Sequence, residues 1–354
     1  MRAVTAQGAP NAGTPRPGLG SRVLWRASGV VTAAVLAAAG GWLIVRAGTP
    51  SPATMIAIPT RTVTVGQPVS SVNVQSYGAP IQVMRGSGPD VTVTEAIGYA
   101  KPGGTPAVTA SVTNGQLTLA APACDSSNCS VGFTVTVPAR DATAVTAVSD
   151  GGNILVSGVT GASLDSGGGN VWATGVTGAL VVSSEGGPVI VTDANGTNVD
   201  SGGGPVRATS INGPLTVSSE GGPVTVTSLT GTLYAGTGGG PLFATGVSAP
   251  TATVIGEGGD VRLGFRTAPD SVQVNTGGGA AFLTVPGGPY ALTTDSGGGP
   301  QSVGISIDPA SARSINVSTL GGPLRVEPAG AAGSLSVKSA PPAPKLPAPP
   351  SVPG

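Results

Sequence analysis

VSSEGGPVIV (Val182–Val191) returns almost unchanged as VSSEGGPVTV (Val217–Val226), thirty-five residues later. DSGGGNVWAT at Asp165 likewise returns as DSGGGPVRAT at Asp200, over the same interval. Between these echoes the Gly-Gly pairs recur about twice as often. Their last glycines are Gly152, Gly169, Gly187, Gly204, Gly222, Gly240, Gly259, Gly279, Gly299 and Gly322, spaced by 17, 18, 17, 18, 18, 19, 20, 20 and 23 residues. Gly287-Gly288 falls out of phase. The unit is therefore about eighteen residues, a period that calls for a repeat architecture.

Each unit alternates apolar and polar residues on both sides of the glycine mark. Ile154 and Val156, Val189 and Val191, Val224 and Val226, and Val261 and Leu263 occupy the second and fourth places after it. Leu180 and Val182, Leu215 and Val217, and Val272 and Val274 stand seven and five places before it. Apolar residues recur seven places after (Val159, Val176, Ile211, Leu229, Val247) and Gly nine places after. Ser or Thr fills the third place before the mark nearly throughout. Period-two alternation with β-branched residues is a strand signal, and the glycines mark the corners. The chain is thus predicted to be all-β, a parallel β-solenoid or β-helix of about 18-residue coils. Coils stacked about 4.8 Å apart bury their Val and Leu rows against one another, and ten would make a rod on the order of 50 Å long. Corner glycines are expected to supply positive φ or close backbone approach.

The flanks divide the chain into further segments. Residues 1–26 carry Arg2, Arg16, Arg22 and Arg26 and no acid. Ala27–Val45 is an uncharged run of 19 residues between Arg26 and Arg46, about 28 Å long as a helix, with Trp25 and Trp42 near its ends. It reads as one transmembrane helix acting as a signal anchor, the basic tail cytoplasmic and the C-terminal region extracellular. A cleaved signal peptide is the alternative, with cleavage after Ala47 or Ala53. Residues 46–59 read as a linker, 60–148 as a β capping segment, 149–328 as the solenoid repeats and 329–354 as a Pro/Ala-rich tail. Cys124 and Cys129, the two cysteines of the chain, fall on the exported side and predict a short disulfide staple.

Composition narrows the function. Sixteen basic and sixteen acidic residues cancel, and only three of the basic ones are Lys, so no basic stripe exists for a nucleic acid. No His occurs. That removes the usual general base and the commonest metal ligand, so no enzyme and no cofactor are expected. A polysaccharide-cleaving β-helix enzyme would need convergent carboxylates with Lys or Arg on one open face. The acids instead mark the corner, Asp150, Glu185, Glu220 and Glu257 two places before the mark and Asp165, Asp200 and Asp295 four places before it. Alternating the offset limits repulsion between stacked charges. A calcium ladder on Asp165, Glu185, Asp200 and Glu220 is a weaker reading, since the spacing does not match Gly-rich calcium rolls.

Three places after each mark the parity points outward, giving the row Leu155, Trp172, Ile190, Arg207, Thr225, Phe243, Arg262, Phe282, Ser302 and Arg325. Trp172, Ile190, Arg207, Phe243, Arg262 and Phe282 form the candidate binding stripe for a glycan or a surface protein.

The stretch from Phe133 to Val191, with its VTVP strand and tandem units of the form S-G-x-V-x-V-x-x-V-x-G-x-L-x-V, resembles the bacterial putative-adhesin domain family of unknown function. The resemblance spans about Val63 to Val326. The family's unit carries Asp after the glycine, as at Asp260, whereas Pro188, Pro205, Pro223 and Pro241 fill that slot here. The resemblance implies a surface location and an adhesive role, with no catalytic residue to carry over. The expected function is a membrane-anchored, extracytoplasmic structural or adhesive module. An envelope sensor or regulatory protein, relaying through the Arg-rich tail, is the alternative.

Overall fold

The computed structural model describes residues 55–57, 59–100, 107–121, 129–139 and 143–330. These all fall in the second of two units into which the chain divides, Met55–Gly354. The expected anchor at Ala27–Val45, the cytoplasmic tail and the Pro/Ala-rich tail beyond residue 330 lie outside the described residues. Among the described residues no helix is long and apolar enough to cross a membrane.

The described residues form a parallel β-solenoid of about ten turns, with strands and no helix. Each turn contributes a strand before the glycine corner and a strand after it, and these stack into a leading and a trailing wall. Along the trailing wall the register runs Ile154, Val171, Val189, Val206, Val224, Leu242, Val261, Ala281, all at most 1% exposed. Along the leading wall it runs Ala147, Leu164, Val182, Val199, Val217, Ala235, Val254, Val274. A fully buried Val or Leu contributes about 2 kcal/mol relative to an exposed one. No single turn encloses a core, so that gain arises only between stacked turns.

Three features set the turn. At the mark, the glycine is required by contact and not by φ. A Cβ on Gly204 would stand 2.1 Å from the Gly187 carbonyl oxygen, and one on Gly222 2.1 Å from that of Gly204. Six places after the mark lies a second corner, in left-handed φ at Gly158, Gly175, Asp193, Ser210, Ser228 and Gly246. It bends the chain just before the inward-facing seventh place. The residue after the mark explains the prolines. Asn153 and Asp260 accept with their side chains from the backbone N–H of Asn170 and Ala280, the equivalent residues one turn on, at 3.0 Å. A Pro there has no N–H to satisfy, while its carbonyl still accepts from the strand of the preceding turn, as Pro188 does from Val171 and Pro205 from Val189.

At both ends the order of turns in space departs from the order in sequence. The strands Ser71–Tyr77 and Ile81–Arg85 lie between the turn Gln116–Ala120 with Cys129–Val137 and the first glycine-marked turn. Part of the stretch read as a capping segment therefore continues the stack. The rest closes it: Val91–Ala100 pairs antiparallel with Cys129–Val137 and carries Arg61–Val65 and Met55–Ala57, while Thr109–Thr113 covers Gln116–Ala120. Met55–Ala57 had fallen within the expected linker. At the other end, Ser314–Ser318 and Leu324–Pro328, last in sequence, slot between the walls of the Gly279 turn and those of the Gly299 turn. The out-of-phase Gly287-Gly288 and the long final interval serve this step out and back. Tyr290 sits fully buried beside it, its hydroxyl donating to the Pro286 carbonyl at 2.9 Å.

Candidate functional site

The outward row predicted from parity exists as one column on the trailing wall. Consecutive members pair in register: Leu155 with Trp172, Trp172 with Ile190, Ile190 with Arg207, Arg207 with Thr225, Thr225 with Phe243, Phe243 with Arg262 and Arg262 with Phe282. Arg325 follows Phe282 and Ser302 comes last, the reverse of sequence order, because the final turn is inserted.

The column is less open than parity suggests. Trp172 is 4% exposed, so it packs rather than displays its ring. Ile190, Arg207, Phe243, Arg262 and Phe282 are half-buried, and Arg325 and Ser302 are exposed. The best-defined part is the Phe243–Arg262–Phe282 sandwich. The Arg262 guanidinium carbon lies 5.5 Å from the Phe243 ring centroid and 5.2 Å from that of Phe282, within cation–π range on both sides. The rings hold the guanidinium in place. Its Nε, and the indole Nε1 of Trp172, are buried without a hydrogen-bond partner. Buried donors of this kind normally find acceptors within the protein, and these two are exceptions.

The acids lie on the leading wall and its corner, exposed as parity predicts. Asp165 and Asp200 share one column with Ser183 between them. Glu185 and Glu220 share the next, with the side-chain-free Gly202 between. Like charges in a column are thus two turns apart, roughly 10 Å. Among the described residues no group of three Asp, Glu or Cys side chains comes together as a metal site.

The Ser/Thr row is buried and hydrogen-bonded, but not as a ladder from turn to turn. Most hydroxyls span their own corner, although Ser149 donates to the Ala79 carbonyl of the neighbouring turn at 3.3 Å. Ser166, Ser184, Ser201 and Ser219 donate to the carbonyls of Gly169, Gly187, Gly204 and Gly222 at 2.9–3.1 Å. Thr276 and Thr319 do the same to Gly279 and Gly322. Thr237 departs from the pattern, its Oγ1 buried without a partner. Its neighbour in the row on the next turn is Gly256, which has no hydroxyl.

Cys129 is disulfide-bonded. Cys124, the chain's other cysteine, lies outside the described residues. Tyr290 has its pKa raised above the ordinary tyrosine value by burial, with the Arg313 guanidinium opposing.

Sequence reasoning missed a second open surface, on the leading wall. Val181, Tyr234 and Ile255 are 46%, 47% and 45% exposed there, beyond any of the stripe's apolar side chains. The signal was present in the outward places six and four before the mark.

No family model matches the chain, and no curated protein matches it. Among solved structures, the chain is similar to a putative cell adhesion protein from Clostridium sporogenes, at 10% identity over 76% of this chain and 98% of the other, with a TM-score of 0.21. It is also similar to a putative adhesin from Parabacteroides merdae, at 12% identity over 78% of this chain and 97% of the other, with a TM-score of 0.27.

Proposed function

We propose that this chain is a single-pass, N-in membrane protein that holds a non-catalytic β-solenoid outside the plasma membrane as an adhesive surface module. The observation that carries the reading is the Phe243–Arg262–Phe282 sandwich, an ordered cation between two aromatic rings on the outward side of a long parallel wall. Such a stack offers apolar ring edges and guanidinium donors at a fixed spacing, which suits an extended glycan or a surface protein. The apolar run Ala27–Val45 with its basic N-terminal flank supports the anchor, and the disulfide at Cys129 fits an oxidising compartment. Cells displaying the full chain should be retained on surfaces coated with envelope glycans. Retention should survive deletion of residues 2–22. A sensor relaying through that tail would instead lose its output on the same deletion.

A further inference from the structure

Gly236 lies inside the strand Leu233–Thr237, in the outward column between Ser218 and Ile255. It is not among the glycines in left-handed φ, and a Cβ there would meet nothing within 4 Å. Neither backbone conformation nor packing requires a glycine at this place. A strand-interior glycine forgoes side-chain contacts and costs entropy, and it recurs where a ligand comes close to the backbone. Gly238, two residues on, is a different case, since its Cβ would stand 2.5 Å from the Glu220 carbonyl oxygen.

The two bare positions leave a notch of about 360 Å³, lined by Ser218, Glu220, Tyr234, Ile255 and Glu257, with Thr237 at its edge. A volume of that order is within the range of small-molecule sites. Tyr234 and Ile255 offer exposed apolar surface. Glu220 and Glu257, both exposed, belong to the turns on either side of Gly238, roughly 10 Å apart across it. No basic residue lines the notch. The unpartnered hydroxyl of Thr237 falls on the same turn as Gly236.

The chemistry asked for is a compact ring with an apolar face for Tyr234, hydroxyls for Ser218 and a positive charge between two carboxylates. A protonated amine is also drawn to the face of a tyrosine ring. We infer that this notch binds an amino-sugar unit carrying a free, protonated amine. A lysine side chain would meet the charge requirement but leave the flat apolar walls and most of the volume unused. This deepens the adhesive reading and rests on it for its biological setting. Its test does not, because sugar binding by the purified protein is measured apart from cell adhesion and the variants leave Phe243, Arg262 and Phe282 intact.

The experiment is calorimetric titration of the purified full-length protein with a β-1,4-linked glucosamine tetrasaccharide, below the pKa of its amines, and with the fully N-acetylated form. The amine form should bind at least tenfold more tightly. Gly236→Val should fill the notch and weaken binding at least tenfold, with an unchanged or higher melting temperature. Tyr234→Ser, at an exposed place that leaves the fold intact, should weaken binding as well. Equal binding of the two sugars, binding of neither, or unchanged binding by Tyr234→Ser would overturn the assignment. So would a lysine-rich peptide that binds where the amino sugar does not, which would give the notch to a protein partner.

Discussion

The site a Cβ would take on Gly204 lies 2.1 Å from the carbonyl oxygen of Gly187, one turn earlier. That contact fixes how closely successive corners stack. The neighbouring Gly203 has open space at the same place, with nothing within 4 Å. Gly204→Ala should therefore cost about 3 kcal/mol by forcing two backbones apart. Gly203→Ala should be neutral or slightly stabilising. Chemical denaturation of the two variants decides the matter, and equal effects would mean the corner is not set by this approach.

The buried hydroxyls offer a matched pair. Ser201 donates to the Gly204 carbonyl at 3.0 Å, whereas Thr237 has no partner. Ser201→Ala should destabilise by about 1–2 kcal/mol, since it strips a buried acceptor of its donor. Thr237→Val keeps the shape and removes an unsatisfied group, so it should stabilise by about 1 kcal/mol. Thermal melting of both variants provides the comparison.

The inserted turn at the C-terminal end predicts an unusual exchange pattern. Ser314–Ser318 is paired on both edges, while Ala291–Asp295, earlier in sequence, has one paired neighbour. Amide hydrogen exchange should find Ile315 to Val317 protected like the interior turns and Leu292 to Thr294 exchanging sooner. Fraying that begins at the last strand in sequence would contradict the topology.

Tyr290 couples stability to alkaline pH. Its folded-state pKa is raised, so the unfolded chain loses the phenolic proton first as pH rises. The stabilisation is complete below about pH 10 and declines as pH climbs from there through the folded value. Melting temperature against pH should show this decline in the native protein and a weaker one in Tyr290→Phe. Identical profiles would mean that Tyr290 does not carry it.

Local pattern made the repeat, the inward Val and Leu rows and the outward column legible before the structure. It did not reveal the inserted turns. Val317 faces inward whichever strand lies beside it, so alternation carries no record of axial order. The second corner was hidden because Gly158, Gly175, Asp193, Ser210, Ser228 and Gly246 share a backbone angle and not a residue type. Parity gave Trp172 its direction but not its surroundings, and the ring is covered. The notch at Gly236 was overlooked because a missing side chain leaves no motif.

The most direct test of the adhesive reading is retention under flow of cells displaying the full chain on a surface coated with envelope glycans and proteins. The comparison is with cells displaying the Phe243→Ser, Arg262→Ser, Phe282→Ser triple variant, at matched surface density and with unchanged circular dichroism of the purified variant. The adhesive account predicts at least a tenfold fall in retained cells for the triple variant. Equal retention of the two, or no retention of the native chain above cells lacking it, would contradict the account.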